Sequence, residues 1–173
     1  KRLEDAERDG DKIYAVIQGL GSSSDGRAKS IYAPVSEGQA KALRRCYERA
    51  GYGPETVELV EAHGTGTKAN DSIECGVIRT VFGNHADKLS VSSTKSMHGH
   101  ALGGAGAIEM MACIGAIKDN VVPPTINYQT PDPECNLDVT PNESRERQVK
   151  AVLTNAFAFG GLNSVLALTR FEG

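Results

Sequence analysis

The hydrophobic residues of the chain fall into short continuous runs that alternate with longer stretches of helical spacing. Runs rich in Val, Leu, Ile and Ala predict five strands, and apolar residues three and four positions apart predict helices between them. This alternation favours a mostly parallel sheet covered on both faces, and the last two strands, joined by a short Gly-Gly turn, should pair antiparallel. The predicted strands span residues 13–20, 57–62, 89–92, 150–155 and 164–171, and the predicted helices span 36–50, 70–81 and a stretch that ends near 120.

Local signals sharpen several of these boundaries. Ser36 and Gln39 have the spacing of a capping box, which predicts the start of a helix, and Gly51 predicts its end. Residues 21–26 (Gly-Ser-Ser-Ser-Asp-Gly) should form a flexible loop. Residues 123–147 contain five prolines and show no periodicity. A loop of that length in a compact domain is usually functional or covers a surface.

The stretch 92–120 is the segment around which the chain should be organised. Three glycines interrupt its apolar run, and each would weaken an isolated helix by about 1 kcal/mol relative to alanine. Glycines there suggest close approach of neighbouring backbones, so the helix should be buried on nearly all sides. The glycines are Gly104, Gly106 and Gly115, and the polar loop before them carries Lys95, His98 and His100. The loop is either part of an active site or merely caps a core helix.

The composition bounds the class of protein. A chain of 173 residues is long enough for one domain with a real core, here residues 1–173, and short for two. A net charge of -3 gives no reason to expect nucleic acid as a partner. The apolar run 101–117 is rich in glycine and contains Glu109, so no membrane span is expected. Residues 1–9 are highly charged; they predict a short surface helix or a frayed end, and no signal peptide is visible.

The four cysteines give no sign of a metal cluster or a disulfide framework. No C-x-x-C pair is present, and three of the four lie in apolar helical contexts where cysteine is usually a small buried hydrophobe. A reducing cytoplasm is therefore the expected location. The four are Cys46, Cys75, Cys113 and Cys135.

Three loops that follow predicted strands carry unusual chemistry: residues 63–67, 95–100 and 157–163. In a parallel sheet such loops converge at one edge, where ligands bind. Two imidazoles and an ammonium gathered there can stabilise a developing oxyanion, and the Gly-Gly pair of the third loop should expose backbone N–H groups. A phosphate loop at residues 66–68 lacks the required spacing. A metal site built from the histidines of the first two loops lacks a carboxylate or thiolate ligand.

Three ordered motifs in these loops resemble the C-terminal half of a β-ketoacyl synthase of the thiolase fold. They are residues 61–67 (Glu-Ala-His-Gly-Thr-Gly-Thr), 94–100 (Thr-Lys-Ser-Met-His-Gly-His) and 155–163 (Asn-Ala-Phe-Ala-Phe-Gly-Gly-Leu-Asn). The resemblance covers almost the whole chain, and its opening is similar to ketosynthase domains of polyketide and polyunsaturated-fatty-acid synthases. It implies a three-layer α/β/α half with a five-stranded mixed sheet whose last strand is antiparallel.

The resemblance also implies a decarboxylative Claisen condensation on thioesters in fatty-acid or polyketide biosynthesis. His63 and His100 would support decarboxylation of a malonyl thioester and stabilise its enolate, and Lys95 would organise that pair. No cofactor would be bound by the chain itself; phosphopantetheine would arrive on an acyl carrier protein or as coenzyme A. The residues implied to line its path are Thr65, Thr67, Phe159 as the gate of the acyl pocket, Gly160 and Gly161, whose loop would give oxyanion-hole N–H groups.

The sequence departs from that family at several points. His98 stands where the family commonly has Thr or another small or apolar residue, and the family's nucleophilic Cys belongs to an N-terminal half that is absent from this sequence. Two interpretations follow: one piece of a condensing enzyme that needs a partner half or self-association, or a non-catalytic module that binds thioesters or another protein. The other departures are Asn70, Ser72, Ala158 and Leu162.

Overall fold

The structure is a computed structural model that describes residues 1–28, 30–31 and 33–173. The main helices are α1 (Leu3–Arg8), α2 (Ser36–Ala50), α3 (Asp71–Phe82), α4 (Lys95–His98) and α5 (Ala105–Asp119). The strands are β1 (Val16–Ser24), β2 (Leu59–Glu61), β3 (Ser90–Ser92), β4 (Val121–Val122), β5 (Arg145–Glu146), β6 (Ala151–Ala158) and β7 (Leu162–Thr169). Short 3-10 turns occupy Pro54–Thr56, Gly83–Lys88 and Leu102–Gly104.

Five strands form one mixed sheet in the order β1-β7-β6-β2-β3. Strand β2 pairs in parallel with both β3 and β6, whereas β7 pairs antiparallel with β6 and with β1. The predicted five-stranded mixed sheet with an antiparallel last strand is therefore confirmed. The parallel pairs place the ends of β2, β3 and β6 at the same edge, where the three unusual loops begin.

Strand β1 extends further than its apolar run predicted. The three serines of the expected flexible loop continue the strand, because Ser22, Ser23 and Ser24 stay in register with β7. Gly21 explains why α2 can lie so close to this strand: a β-carbon there would stand 1.9 Å from the carbonyl oxygen of Ala42. The flexible-loop prediction for these serines was wrong because the neighbouring strand supplies partners that the sequence does not reveal.

The fold has three layers, with the sheet in the middle and helices on both of its faces. Helices α2 and α3 cover one face through a core that includes Leu43, Ile78 and Leu153. Helix α5 covers the other face through Cys113 and Ile117, which pack with residues of β2, β6 and β7. The α/β/α arrangement implied by the resemblance is confirmed.

Helix α2 begins where predicted, but not for the predicted reason. Val35 is its N-cap residue, and no side chain in the described part of the chain caps the helix. Gln39 is buried and donates to Asn70 Oδ1 instead of closing a capping box. The end of the helix was correctly predicted, because Gly51 adopts the left-handed conformation at φ +75°.

The central segment is not one continuous helix, and it is not buried on all sides. A single turn, α4, and a 3-10 turn precede α5, which ends at Asn120. One face of α5 packs on the sheet, whereas the opposite face is open and Met111 is 73% exposed. A β-carbon at Gly106 or Gly115 would meet nothing within 4 Å. Within this chain, these glycines therefore do not serve a close backbone contact.

The long segment 123–147 is more ordered than its sequence suggests. Its end forms a short antiparallel pair, because β5 bonds to β4, and Thr125 bridges to Pro141. The segment lies beside the 64–68 loop and contributes Thr125 and Tyr128 to a second cleft there. Among the described residues, no helix has both the length and the apolar character needed to cross a membrane.

Candidate active site

His63 follows β2 and is held by a buried carboxylate. The backbone N–H groups of His63 and Gly64 donate to the two oxygens of Glu74 at 2.9 Å each. Asn155 at 3.0 Å and Asn70 at 3.2 Å donate to the same carboxylate, so all of its bonds come from the strand ends and loops around the site. Four donors on one buried acceptor fix the direction in which the loop leaves the sheet.

Glycine is required at the next position of this loop. Gly64 has φ +37°, and a β-carbon there would lie 2.6 Å from Cβ of Ser93. Ser93 Oγ donates to the carbonyl of Gly64 at 2.7 Å, which joins the loop after β2 to the loop after β3. The two histidine-bearing loops are therefore fixed to one another.

The structure brings the imidazoles of His63 and His100 together. Their ring centroids lie 5.4 Å apart with the planes at 82°, and Phe157 lies 5.7 Å from the His63 ring. His63 is buried, whereas His100 is exposed. Burial lowers the pKa of His63 to about 3, and the charges of Lys95 and His100 add to that effect. Burial and Lys95 also lower the pKa of His100. Both rings are therefore neutral at physiological pH and can each offer an N–H.

Lys95 is almost fully buried, and its charge acts on both rings. Its Nζ forms an ion pair with Glu109, a carboxylate from the middle of α5. Burial raises the pKa of Glu109, and the hydrogen bond from Lys95 opposes that rise. Losing either partner would leave an uncompensated charge in the interior. The pair thus fixes the position of the ammonium relative to the imidazoles.

Six of the eight predicted site residues line one cleft of about 1040 Å³. Thr65 and Thr67 lie on its wall, with their hydroxyl oxygens 3.2 Å apart. Lys95 faces a neighbouring cleft of about 560 Å³, which shares Thr65, Thr67 and His100 with the first. The residues of the larger cleft that were singled out from sequence are His63, Thr65, Thr67, His100, Phe159 and Gly161.

The glycine turn after Phe159 does not offer the N–H groups that were expected of it. The N–H of Gly160 donates to the carbonyl of Ile31 at 2.9 Å, and that of Gly161 donates to Ala158 at 3.1 Å. Both donors are thus already used within the chain, and the prediction that the turn exposes them was wrong. Phe159 itself is 72% exposed at the mouth of the cleft.

None of the four cysteines has the setting of a nucleophile. Burial raises the pKa of Cys46 to about 11 and raises the pKa of the other three thiols as well. A reactive cysteine needs a lowered pKa and an electropositive, accessible setting. Among the described residues, no group of three or more His, Cys, Asp or Glu side chains is placed to hold a metal ion.

Sequence reasoning missed three buried carboxylates that organise the site: Glu61, Glu74 and Glu109. Glu61 and Glu109 lie in apolar stretches that are expected to be buried. An acidic residue is almost never buried unless it is paired, so such a position predicts a partner. That signal was present at Glu109, but Glu109 was interpreted only as evidence against a membrane span. The partners come from other loops, so the pairings themselves could not be read from spacing.

Comparison with known proteins identifies relatives of the chain. A family model described as "Beta-ketoacyl synthase, C-terminal domain" matches residues 14–129, more than half of the chain. Nodulation protein E of Rhizobium sp. (strain N33) is 53% identical over 164 residues, 95% of this chain and 40% of that protein. The 3-oxoacyl-[acyl-carrier-protein] synthase 2 of Coxiella burnetii (strain RSA 493 / Nine Mile phase I) is 46% identical over 170 residues, 98% of this chain and 41% of that protein.

Solved structures agree with the sequence relatives. The ishigamide ketosynthase/chain length factor superposes with a TM-score of 0.92 at 40% identity, covering 98% of this chain and 41% of that one. A type II PKS acyl-carrier protein in complex with its ketosynthase bound to the hexaketide gives a TM-score of 0.94 at 35% identity, covering 99% and 42%. The chain therefore spans about 40% of the length of the curated relatives that it matches.

Proposed function

The chain belongs to the family of β-ketoacyl synthase C-terminal domains, and on that premise we propose that it supplies the histidine part of a decarboxylative Claisen condensation site. His63 and His100 bind the carbonyl oxygen of a malonyl thioester and donate to the enolate that forms when carbon dioxide leaves. The observation that supports this proposal most directly is the pair of neutral imidazoles 5.4 Å apart at the wall of one cleft.

Neutral imidazoles suit this task. A neutral imidazole carries one N–H that can donate to an oxyanion. Preorganised donors of this kind stabilise charge that develops in the transition state. The Nδ1 of His63 is buried, which leaves Nε2 as the ring atom available to a ligand in the cleft. Burial lowers the pKa of both rings, and the charge of Lys95, which is itself fixed by Glu109, adds to that effect.

The thioester would reach the histidines along the larger cleft. Thr65 and Thr67 offer hydroxyl groups on its wall. Phe159 lines the same cleft, and we propose that it is the gate to an acyl pocket. We propose that phosphopantetheine, delivered by an acyl carrier protein or as coenzyme A, lies along these threonines. The complex of a ketosynthase with its acyl-carrier protein among the similar structures supports a carrier protein as partner.

Complete condensation needs a nucleophile that this chain does not contain. The acyl group must be held covalently while the enolate attacks it, and all four thiols have raised pKa values. We propose that a partner half supplies the reactive cysteine and covers the open face of α5, where Ile108 and Met111 are exposed, together with Leu102 of the turn before it. The isolated chain then has no condensing activity.

A second candidate is a non-catalytic module that binds acyl or pantetheine thioesters or another protein. The raised pKa values of the thiols favour it, and two similar structures contain a chain length factor beside a ketosynthase. The two candidates differ in whether carbon dioxide is released from a bound malonyl thioester.

The test is release of carbon dioxide from malonyl-pantetheine by the purified chain, together with a search for a 3-ketoacyl product. We expect slow decarboxylation that His63→Ala abolishes, since losing one oxyanion donor typically costs about 100- to 1000-fold. His85→Gln is the matched control, because His85 lies away from the cleft and bonds to the carbonyl of Val57. Binding of malonyl-pantetheine without any release would favour the second candidate. A 3-ketoacyl product from this chain alone would refute the need for a partner's cysteine.

A further inference from the structure

A second polar system begins at Thr94, the residue before Lys95. Its buried end is Glu61, the last residue of β2, which has no exposed surface. Oε1 of Glu61 accepts the backbone N–H of Thr94 at 2.7 Å and the Thr94 hydroxyl at 2.6 Å. Oε2 is buried and has no hydrogen-bond partner among the described residues. A buried carboxyl group that has one oxygen without a hydrogen-bond partner is costly to ionise.

Thr94 connects this carboxyl to the surface. Its hydroxyl carries a single proton, which the 2.6 Å bond places toward Glu61. Nε2 of His98 lies 3.3 Å from the same oxygen. When Glu61 is ionised, the hydroxyl proton is committed to it, and the bond to His98 then requires a proton on Nε2.

His98 is the exposed end of the system. Its Nδ1 lies 2.7 Å from the carbonyl oxygen of Gly99. A carbonyl only accepts, so Nδ1 must carry a proton as well. With Glu61 as a carboxylate, this arrangement of bonds therefore pairs it, through one hydroxyl group, with a His98 ring that carries both protons.

We propose that His98, Thr94 and Glu61 form a proton-exchange path between the protein surface and a buried carboxyl group. The N–H bond at Nε2 of His98 breaks as its proton passes to Oγ1 of Thr94. The original hydroxyl proton passes at the same time to Oε1 of Glu61. An imidazolium and a carboxylate become an imidazole and a carboxylic acid, and Thr94 ends as it began. His98 then recovers a proton from water.

The charges around Glu61 set where the proton rests. Glu109 and Cys113 face it from α5, and a negative charge on Glu109 disfavours ionisation of Glu61, whereas Lys95 favours it. Burial is the largest effect and raises the pKa of Glu61 to about 8. At neutral pH the buried carboxyl group is therefore protonated, and the path carries protons to and from it. This inference concerns the chain itself and does not depend on the proposed function.

The test follows the exchange of that proton by infrared spectroscopy after rapid mixing of the full chain into D2O. Glu61→Gln identifies the band, because it removes the carboxylic acid C=O stretch of this residue. We expect Thr94→Val to slow the exchange at least about tenfold, since a buried proton without a path must wait for local opening of the structure. Thr94→Ser keeps the hydroxyl and should keep the wild-type rate. Ser92→Ala, which removes a buried hydroxyl without a partner, should also leave the rate unchanged.

A rescue experiment separates a proton path from a structural role. His98→Ala should slow the exchange, and free imidazole added to the buffer should restore it. Imidazole should not restore the rate of Thr94→Val, because the relay atom itself is missing. Equal rates in wild type, Thr94→Val and His98→Ala would overturn the proposal, and so would the absence of a carboxylic acid band that depends on Glu61. Circular dichroism of each variant establishes that it is folded.

Discussion

Replacing Glu61 by glutamine should remove a pH-dependent cost of folding. Burial raises the pKa of Glu61 from 4.5 to about 8. Between these values the folded chain keeps a proton that the unfolded chain releases, so the free energy of unfolding falls as the pH rises. The stabilisation from the neutral acid is complete below pH 4.5 and is lost by about pH 8. Glutamine has the shape of the neutral acid and does not titrate.

The size of the effect follows from the shift in pKa. Each unit corresponds to about 1.4 kcal/mol, so a shift from 4.5 to about 8 corresponds to about 5 kcal/mol across the full window. The amide oxygen of glutamine can accept both bonds from Thr94, but its NH2 group would occupy the position of the unpartnered Oε2. That misfit costs about 1–3 kcal/mol at every pH. The diagnostic quantity is therefore the change with pH of the difference between variant and wild type.

The assay is urea unfolding followed by circular dichroism at a fixed protein concentration, from about pH 5 to about pH 9. Taking the difference between Glu61→Gln and wild type removes the contributions of Glu74 and Glu109, whose pKa values are also raised. The difference should move in favour of the variant by several kcal/mol as the pH rises. Glu48→Gln, at an exposed position of α2, is the control and should give a flat difference. A flat difference for Glu61→Gln would refute the reasoning.

Three further predictions follow from the site and from the open helix face. Lys95→Met should cost about 3–5 kcal/mol of unfolding free energy in urea titrations, because it leaves Glu109 buried without its cation. Nitrogen NMR should show that the His63 ring stays neutral until the pH falls to its pKa of about 3. An exposed histidine would already become protonated near its ordinary pKa of 6.5. The chain should self-associate in sedimentation runs, and Met111→Glu should shift it toward monomer, because large exposed apolar patches are rare on monomers.

Each of these has an outcome that contradicts it. The double variant Lys95→Met with Glu109→Leu should recover much of the stability lost by Lys95→Met, and failure to do so would contradict the ion-pair account. Titration of His63 with a midpoint near that of free histidine would mean that its ring is hydrated, against its burial. A clean monomer of the wild-type chain, with α5 open to solvent, would contradict the account of its exposed face.

The pattern of apolar residues anticipated most of the fold. All five sheet strands and helices α2, α3 and α5 were located from runs of apolar residues and from helical spacing, because core burial imposes such patterns on the chain. Local propensity failed where tertiary partners took over. Ser22–Ser24 became strand because β7 lies alongside. The capping box at Ser36 did not form because Gln39 turned into the interior to meet Asn70.

The candidate site divides in the same way. His63, Lys95 and His100 stood out because polar residues with glycines follow predicted strands, and strand ends in a parallel sheet share an edge. Their partners did not stand out. Glu74 reaches His63 from α3 and Glu109 reaches Lys95 from α5, across sequence separations of 11 and 14 residues. The carboxylates are also what make these positions rigid.

The sequence alone therefore determined the order of elements, the edge at which chemistry collects and the absence of a cysteine in a nucleophile's motif, because these depend on periodicity and on residue type. The tertiary structure decided which donors were already used, as at Gly160 and Gly161, and which acids were buried. It also decided that the glycines of α5 face open space within this chain. The physical reason is that hydrogen-bond satisfaction and desolvation depend on neighbours brought together from distant positions, and neither is encoded in local spacing.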